Sequence, residues 1–124
     1  MGTWGAGNFD DDTAADALGT LTEDLIAKIT EEYDDESGSS LEPDEWGGVI
    51  VPAWLELLSD LAQSGRAGAS LPPVATLREW RDRYLAVWEE TIDGLDPDEE
   101  YRTARRAVLA ATFERAIALA EERE

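Results

Sequence analysis

Apolar side chains in this chain return every third and fourth residue, in four separate stretches, and almost nowhere every second. Leu18, Leu21, Leu25, Ile29 and Tyr33 show the spacing first, and it gathers them along one face of an α-helix. Helices with one apolar face bury it against each other, so the predicted class is all-α: a bundle of four to five helices. At 124 residues the chain is one domain's length, and a single helical domain over 1–124 is expected. The one β-branched run, Val49-Ile50-Val51, lies inside a longer helical pattern. No internal repeat is visible.

Punctuation between the stretches sets the expected boundaries. Asp11 or Asp12 caps the first helix, where a carboxylate accepts from free backbone amides. Asp34-Asp35-Glu36-Ser37-Gly38-Ser39-Ser40 then reads as an exposed loop. A second helix is expected over about 43–64, with Pro43 in its first turn. Its predicted stripe is Trp46, Ile50, Trp54 (or Ala53), Leu57 and Leu61. Pro52 removes a helical hydrogen bond, so the segment kinks there or restarts, and Gly47-Gly48 favour a restart. Gly65 to Ser70, followed by Leu71-Pro72-Pro73, form the clearest connection. The third helix buries Leu77, Trp80, Tyr84, Trp88 (with Val87) and Ile92, and Gly94 closes it. Its polar face carries Arg78, Glu79, Arg81, Asp82, Arg83, Glu89 and Glu90. Asp96-Pro97-Asp98-Glu99 opens the fourth with a cap, a first-turn proline and a glutamate three residues on. That helix has two adjoining stripes, Tyr101, Ala104, Val108 and Ala111 beside Leu109, Phe113 and Ile117. So wide an alanine-rich face implies more than one packing neighbour.

What the chain lacks narrows the chemistry. It has no cysteine and no histidine, which removes disulfides, thiolate metal sites and the commonest general base and metal ligand. No run of about 20 apolar residues exists to span a bilayer, and no basic-then-apolar leader opens the chain. A soluble, cytoplasmic protein is the expectation. Lys28 is the only lysine, and no serine or threonine has an evident base beside it.

Trp4-Gly5-Ala6-Gly7-Asn8-Phe9 precedes a helix as phosphate loops do. It has no preceding strand and no following lysine with serine or threonine. The glycines instead permit close backbone approach, so residues 1–10 are expected to form an N-terminal clasp with Trp4 and Phe9 over the bundle. Asp10, Asp11, Asp12 and Asp16 lack the alternation of a calcium loop, and capping is the more economical role for them. No catalytic residue, metal or cofactor is assigned.

Net charge is −19, unevenly placed: residues 1–64 hold 16 acidic groups and one base, and residues 65–124 hold 13 with nine arginines. Such a field repels nucleic acid and anionic membranes and draws basic partners. The expected contact surface is Asp34, Asp35, Glu36, Glu42, Asp44 and Glu45, with Trp46 as the aromatic left exposed beside them. Trp46, Trp54, Trp80 and Trp88 nevertheless all fall at helical core spacing.

The opening stretch Met1-Gly2-x-Trp4-Gly5-x-Gly7-x-Phe9-Asp10-x-Asp12-x-Ala14-x-Asp16-x-Leu18 resembles the start of the bacterial family catalogued as domain of unknown function 4259. The resemblance maps the recurrent residues onto Trp4, Gly5, Gly7, Phe9, Asp10, Asp12 and Asp16, and assigns none of them a catalytic role. A signature starting at Met1 fits a terminus that packs into the fold. The resemblance implies a small stand-alone cytoplasmic protein, and some members are regarded as candidate immunity proteins against bacterial toxins. The leading expectation is therefore a non-enzymatic module that binds a basic protein such as a toxin domain. The alternatives are a carboxylate enzyme with a metal at Asp10, Asp12 and Asp16, or an oligomerising helical module.

Overall fold

The computed structural model describes residues 2–124; Met1, where the N-terminal signature starts, lies outside the described residues. Among the described residues four α-helices follow one another: α1 (Asp12–Tyr33), α2 (Trp46–Gln63), α3 (Val74–Thr91) and α4 (Glu99–Glu121). One-turn 3-10 helices at Ser39–Leu41 and Ile92–Leu95 sit between them. Among the described residues, extended pairing is confined to one bridge between Thr3 and Asp11. The all-α bundle read from the periodicity is the fold.

α2 packs on both α1 and α4, and α3 packs on α4. Ile29, Leu55, Leu58, Leu77, Trp88 and Phe113 meet in one core. Tyr33 at the end of α1 lies flat on Trp80 of α3, with ring centroids 5.4 Å apart. Its hydroxyl donates to the Trp80 carbonyl at 2.9 Å, so the buried phenol is satisfied while its aromatic area is removed from water.

α3 matches its expected stripe throughout, with Leu77, Trp80, Tyr84 and Trp88 buried and Ile92 buried just beyond its end. Its end differs: the helix stops at Thr91, Gly94 lies within the following 3-10 turn, and Asp96 takes the left-handed conformation at φ 51°. With Asp96 so placed, the cap of α4 is Asp98, whose side chain accepts from the Tyr101 amide at 2.8 Å. The capping motif thus begins two residues later than expected, and Pro97 precedes the helix.

The α1 stripe holds at Leu18, Ile29 and Tyr33 and fails at Leu21, one of the two α4 stripes goes in, and only α2 turns away from its expected face. In α1, Thr22 is buried and Leu21 exposed. The Thr22 hydroxyl donates to the Leu18 and Gly19 carbonyls and accepts the Ser70 amide at 2.9 Å, tying the 65–73 connection to α1. In α2, Gly47, Gly48, Val51, Leu55 and Leu58 face inward, while Trp46 and Leu57 are exposed. An added Cβ at Gly48 would collide with the Glu42 carbonyl, and one at Gly47 with the Ser40 carbonyl. Only the glycine face lets that backbone come so close. In α4, Leu109, Phe113 and Ile117 go in with Ala116 and Ala120, and Tyr101 and Val108 stay out.

α2 is one helix and begins after Pro43, at Trp46. It neither restarts nor ends at Pro52. The proline leaves the Gly48 carbonyl without its helical donor, and the Tyr84 hydroxyl of α3 donates to that carbonyl instead. Burial pushes the Tyr84 phenol up to about 12.

The N-terminal segment is ordered, yet it closes on the start of α1 rather than over the core. The Trp4 amide donates to the Asp10 carbonyl at 2.7 Å, and the Asp12 amide to the Gly2 carbonyl at 2.6 Å. Trp4 is 54% exposed and Phe9 38%, so neither ring is the core clasp expected. Phe9 lies under the Arg66 guanidinium, 5.3 Å from the ring centre.

Candidate functional site

Each of the three consecutive aspartates has a separate structural task. Asp10 closes the glycine turn by accepting the Gly7 amide at 3.0 Å. An added Cβ on Gly5 or Gly7 would press on that carboxylate, at 2.8 and 2.7 Å. Asp11 caps α1, accepting from the Thr13 and Ala14 amides and the Thr3 hydroxyl. Those donors hold its carboxyl below the usual carboxylate range, the Thr3 hydroxyl most strongly. Asp12 accepts the Trp4 indole N–H at 2.8 Å. Asp16 stands exposed one turn along α1. Among the described residues, no three carboxylates converge as a cation site requires.

The acidic connection between α1 and α2 is built differently. Asp34 ends α1, and the Asp35 carboxylate gathers the following turn. It accepts from the Ser37 hydroxyl at 2.7 Å, the Ser39 hydroxyl at 2.9 Å, and the Ser37 and Ser40 amides. Serine hydroxyls and backbone amides favour the charged form, and the Asp35 pKa is lowered to about 2. Arg83 donates to the Tyr33 and Asp35 carbonyls, both at 2.6 Å, and fixes the connection to α3. This arginine belongs to the predicted solvated face of α3 but acts as an anchor. Leu41 is buried beneath the turn.

The connection thus presents its charges on a held backbone. Asp34, Glu36, Asp44 and Glu45 are exposed and Glu42 is half-buried. Asp35 differs from the rest of the expected set, since both its oxygens are occupied by the turn. Trp46, 68% exposed, is the free aromatic beside them and not the core residue its spacing also allowed.

Next to this rim runs a groove between α1 and α2, lined by Lys28, Glu31, Glu32, Trp46, Ile50 and Trp54. Its floor is the stripe expected to be core. Turning Val51, Leu55 and Leu58 inward puts Trp46, Ile50 and Trp54 at the α1 edge, where Ile50 and Trp54 are only half-buried. Sequence reasoning placed Ile50 and Trp54 in the core and gave Glu31 and Glu32 no role. The available signal was a second apolar stripe one residue out of register with Val51, Leu55 and Leu58.

A family model described as "Domain of unknown function (DUF4259)" matches residues 2–122. No curated protein and no solved structure matches the chain.

Proposed function

The chain belongs to the family described as Domain of unknown function (DUF4259), and from that premise we propose that it is an acidic protein-binding module. Its partner is a basic protein, in the fullest form of the proposal a bacterial toxin domain neutralised in the cytoplasm by direct binding. Binding of this kind needs neither cofactor nor catalytic group. The observation that carries the reading is an exposed tryptophan, Trp46, at the start of α2, directly after a connection whose Asp34, Glu36, Asp44 and Glu45 are exposed and whose Glu42 is half-buried. Charge of one sign speeds encounter with a basic surface and rejects acidic ones, while a large aromatic supplies the desolvated anchor. Asp35 supports the rim by holding its backbone.

The test separates position from total charge. Hexa-arginine amide is titrated into the protein, into Glu36→Gln/Asp44→Asn/Glu45→Gln, and into a control neutralised at Glu99, Glu100 and Glu122. Both variants lose equal charge. Weaker binding and a flatter salt dependence in the first variant alone support the reading; equal losses in both overturn it. For the toxin form, co-expression with a toxin domain encoded beside the gene should restore growth, and the rim variant should fail to.

The oligomerising alternative has one observation in its favour. Tyr101 and Val108 on α4 and Val49 on α2 leave apolar surface exposed. Light scattering that shows mass rising with protein concentration would favour it.

A further inference from the structure

We propose that the α1–α2 groove seats one arginine side chain of the basic partner, a reading that rests on the protein-binding function above. The guanidinium lies against the Trp46 indole and pairs with Glu31 and Glu32, while its aliphatic stem runs over Ile50 and Trp54.

The molecule's own arginines show how its rings are used. Arg66 stands over Phe9, Arg83 over Tyr33 and Arg102 over Trp88, at 5.3 to 5.8 Å. Among the described residues no cation covers Trp46 or Trp54, although both indoles border the same groove. The carboxylates agree. Glu31 and Glu32 make no ion pair among the described residues, whereas the ion pairs among those residues draw their acids from residues 60–121. The Glu32 carboxylate stands against Gly47 in the first turn of α2, the positive end of that helix. Two carboxylates without an ion pair and two indoles without a cation thus line one groove, and together they suit a cation.

A planar guanidinium suits it better than an ammonium. It is more weakly hydrated, stacks on an indole and presents a fork to carboxylate oxygens. Lys28 on the same groove opposes any cation, and the six acidic groups of the 34–45 connection outweigh it. The surrounding field therefore favours a positive occupant.

N-acetyl-arginine amide titrated into the labelled protein tests this by nuclear magnetic resonance of the five tryptophan indole N–H groups. The expected result is saturable movement of the Trp46 and Trp54 signals, with none for the neutral isostere N-acetyl-citrulline amide. Trp46→Ala, at an exposed position, should weaken the interaction about fivefold or more. Glu31→Gln/Glu32→Gln should weaken it further, and Lys28→Glu should tighten it. Equal movement with citrulline, equal movement of the Trp4 and Trp88 signals, or an unchanged Trp46→Ala titration would overturn the assignment. Hexa-arginine binding that depends on Glu36, Asp44 and Glu45 but leaves Trp46 and Trp54 unmoved removes the groove and keeps the wider reading. Arginine-specific movement of the two indoles without any dependence on those acids removes the wider reading and keeps the groove.

Discussion

The Gly48 carbonyl is the residue-scale point on which α2 turns. Pro52 deprives it of a backbone donor, and the Tyr84 hydroxyl replaces that donor. Tyr84→Phe should therefore cost more than an ordinary surface hydrogen bond, about 1–3 kcal/mol, because a buried carbonyl is left unpaired. In a Pro52→Ala background the amide returns and the same change should cost clearly less. Denaturant unfolding of the double-mutant cycle measures the difference, and additivity would break the link. Ser59 is the opposite case: fully buried, with a hydroxyl that meets no partner among the described residues. Ser59→Ala should raise stability by about 1 kcal/mol, since it removes an unmet polar group and fits the same space. Asp35 adds a pH dependence of known sign. Its folded pKa of about 2 lies below the unfolded value, which is about 3.9. Its contribution is thus complete above about pH 4 and is lost as pH falls towards about 2. Unfolding curves across that window should be flatter for Asp35→Asn than for the parent protein.

At the scale of elements, glycine substitutions report which helix faces are closed. Gly→Ala within an exposed helix ordinarily stabilises by up to about 1 kcal/mol. Gly48→Ala should instead destabilise by about 1–3 kcal/mol, since the new Cβ meets the Glu42 carbonyl. Gly94→Ala, which meets nothing, should be neutral or mildly favourable; thermal unfolding of the pair checks the contrast. The same closeness explains which elements could be read in advance. α3 has a single apolar stripe, so period and burial coincide from Leu77 to Ile92. α2 and α4 each have two stripes a residue apart, and both satisfy a helical period. Which one turns inward depends on how near Ser40, Glu42 and the neighbouring helices approach, and no local pattern states that. The exposure of most of the acidic connection was legible because its charges cluster within residues 34–45. The groove was not, because it exists only where the last turns of α1 meet the outer stripe of α2. Asp98 displaced Asp96 as a cap for a related reason: the left-handed turn at Asp96 is set by how α3 ends.

For the whole molecule, charge is the dominant asymmetry. Among the described residues the seven ion pairs take their acids from residues 60–121, and of the 16 acidic groups in residues 1–64 Asp60 alone is among them. The leading half therefore folds against its own repulsion and depends on backbone and hydroxyl donors to hold its acids. Two opposed effects of salt follow. Screening weakens the surface ion pairs, each worth about 0–1 kcal/mol, and it relieves repulsion among many unpaired carboxylates across the first half. The second effect involves more groups at longer range, where the screening length falls from about 30 Å at 0.01 M salt to a few ångströms near 1 M. Raising sodium chloride from about 10 mM to about 0.5 M should therefore raise Tm. Over the same range, hexa-arginine binding should weaken, because the field that burdens the free fold is the one proposed to draw a basic partner. Lysine substitutions at Glu36 and Asp44 should move both quantities together, raising low-salt stability while lowering affinity. A Tm that falls with salt would mean the ion pairs of the second half outweigh the repulsion of the first, and recognition by a stored negative field would lose its physical basis.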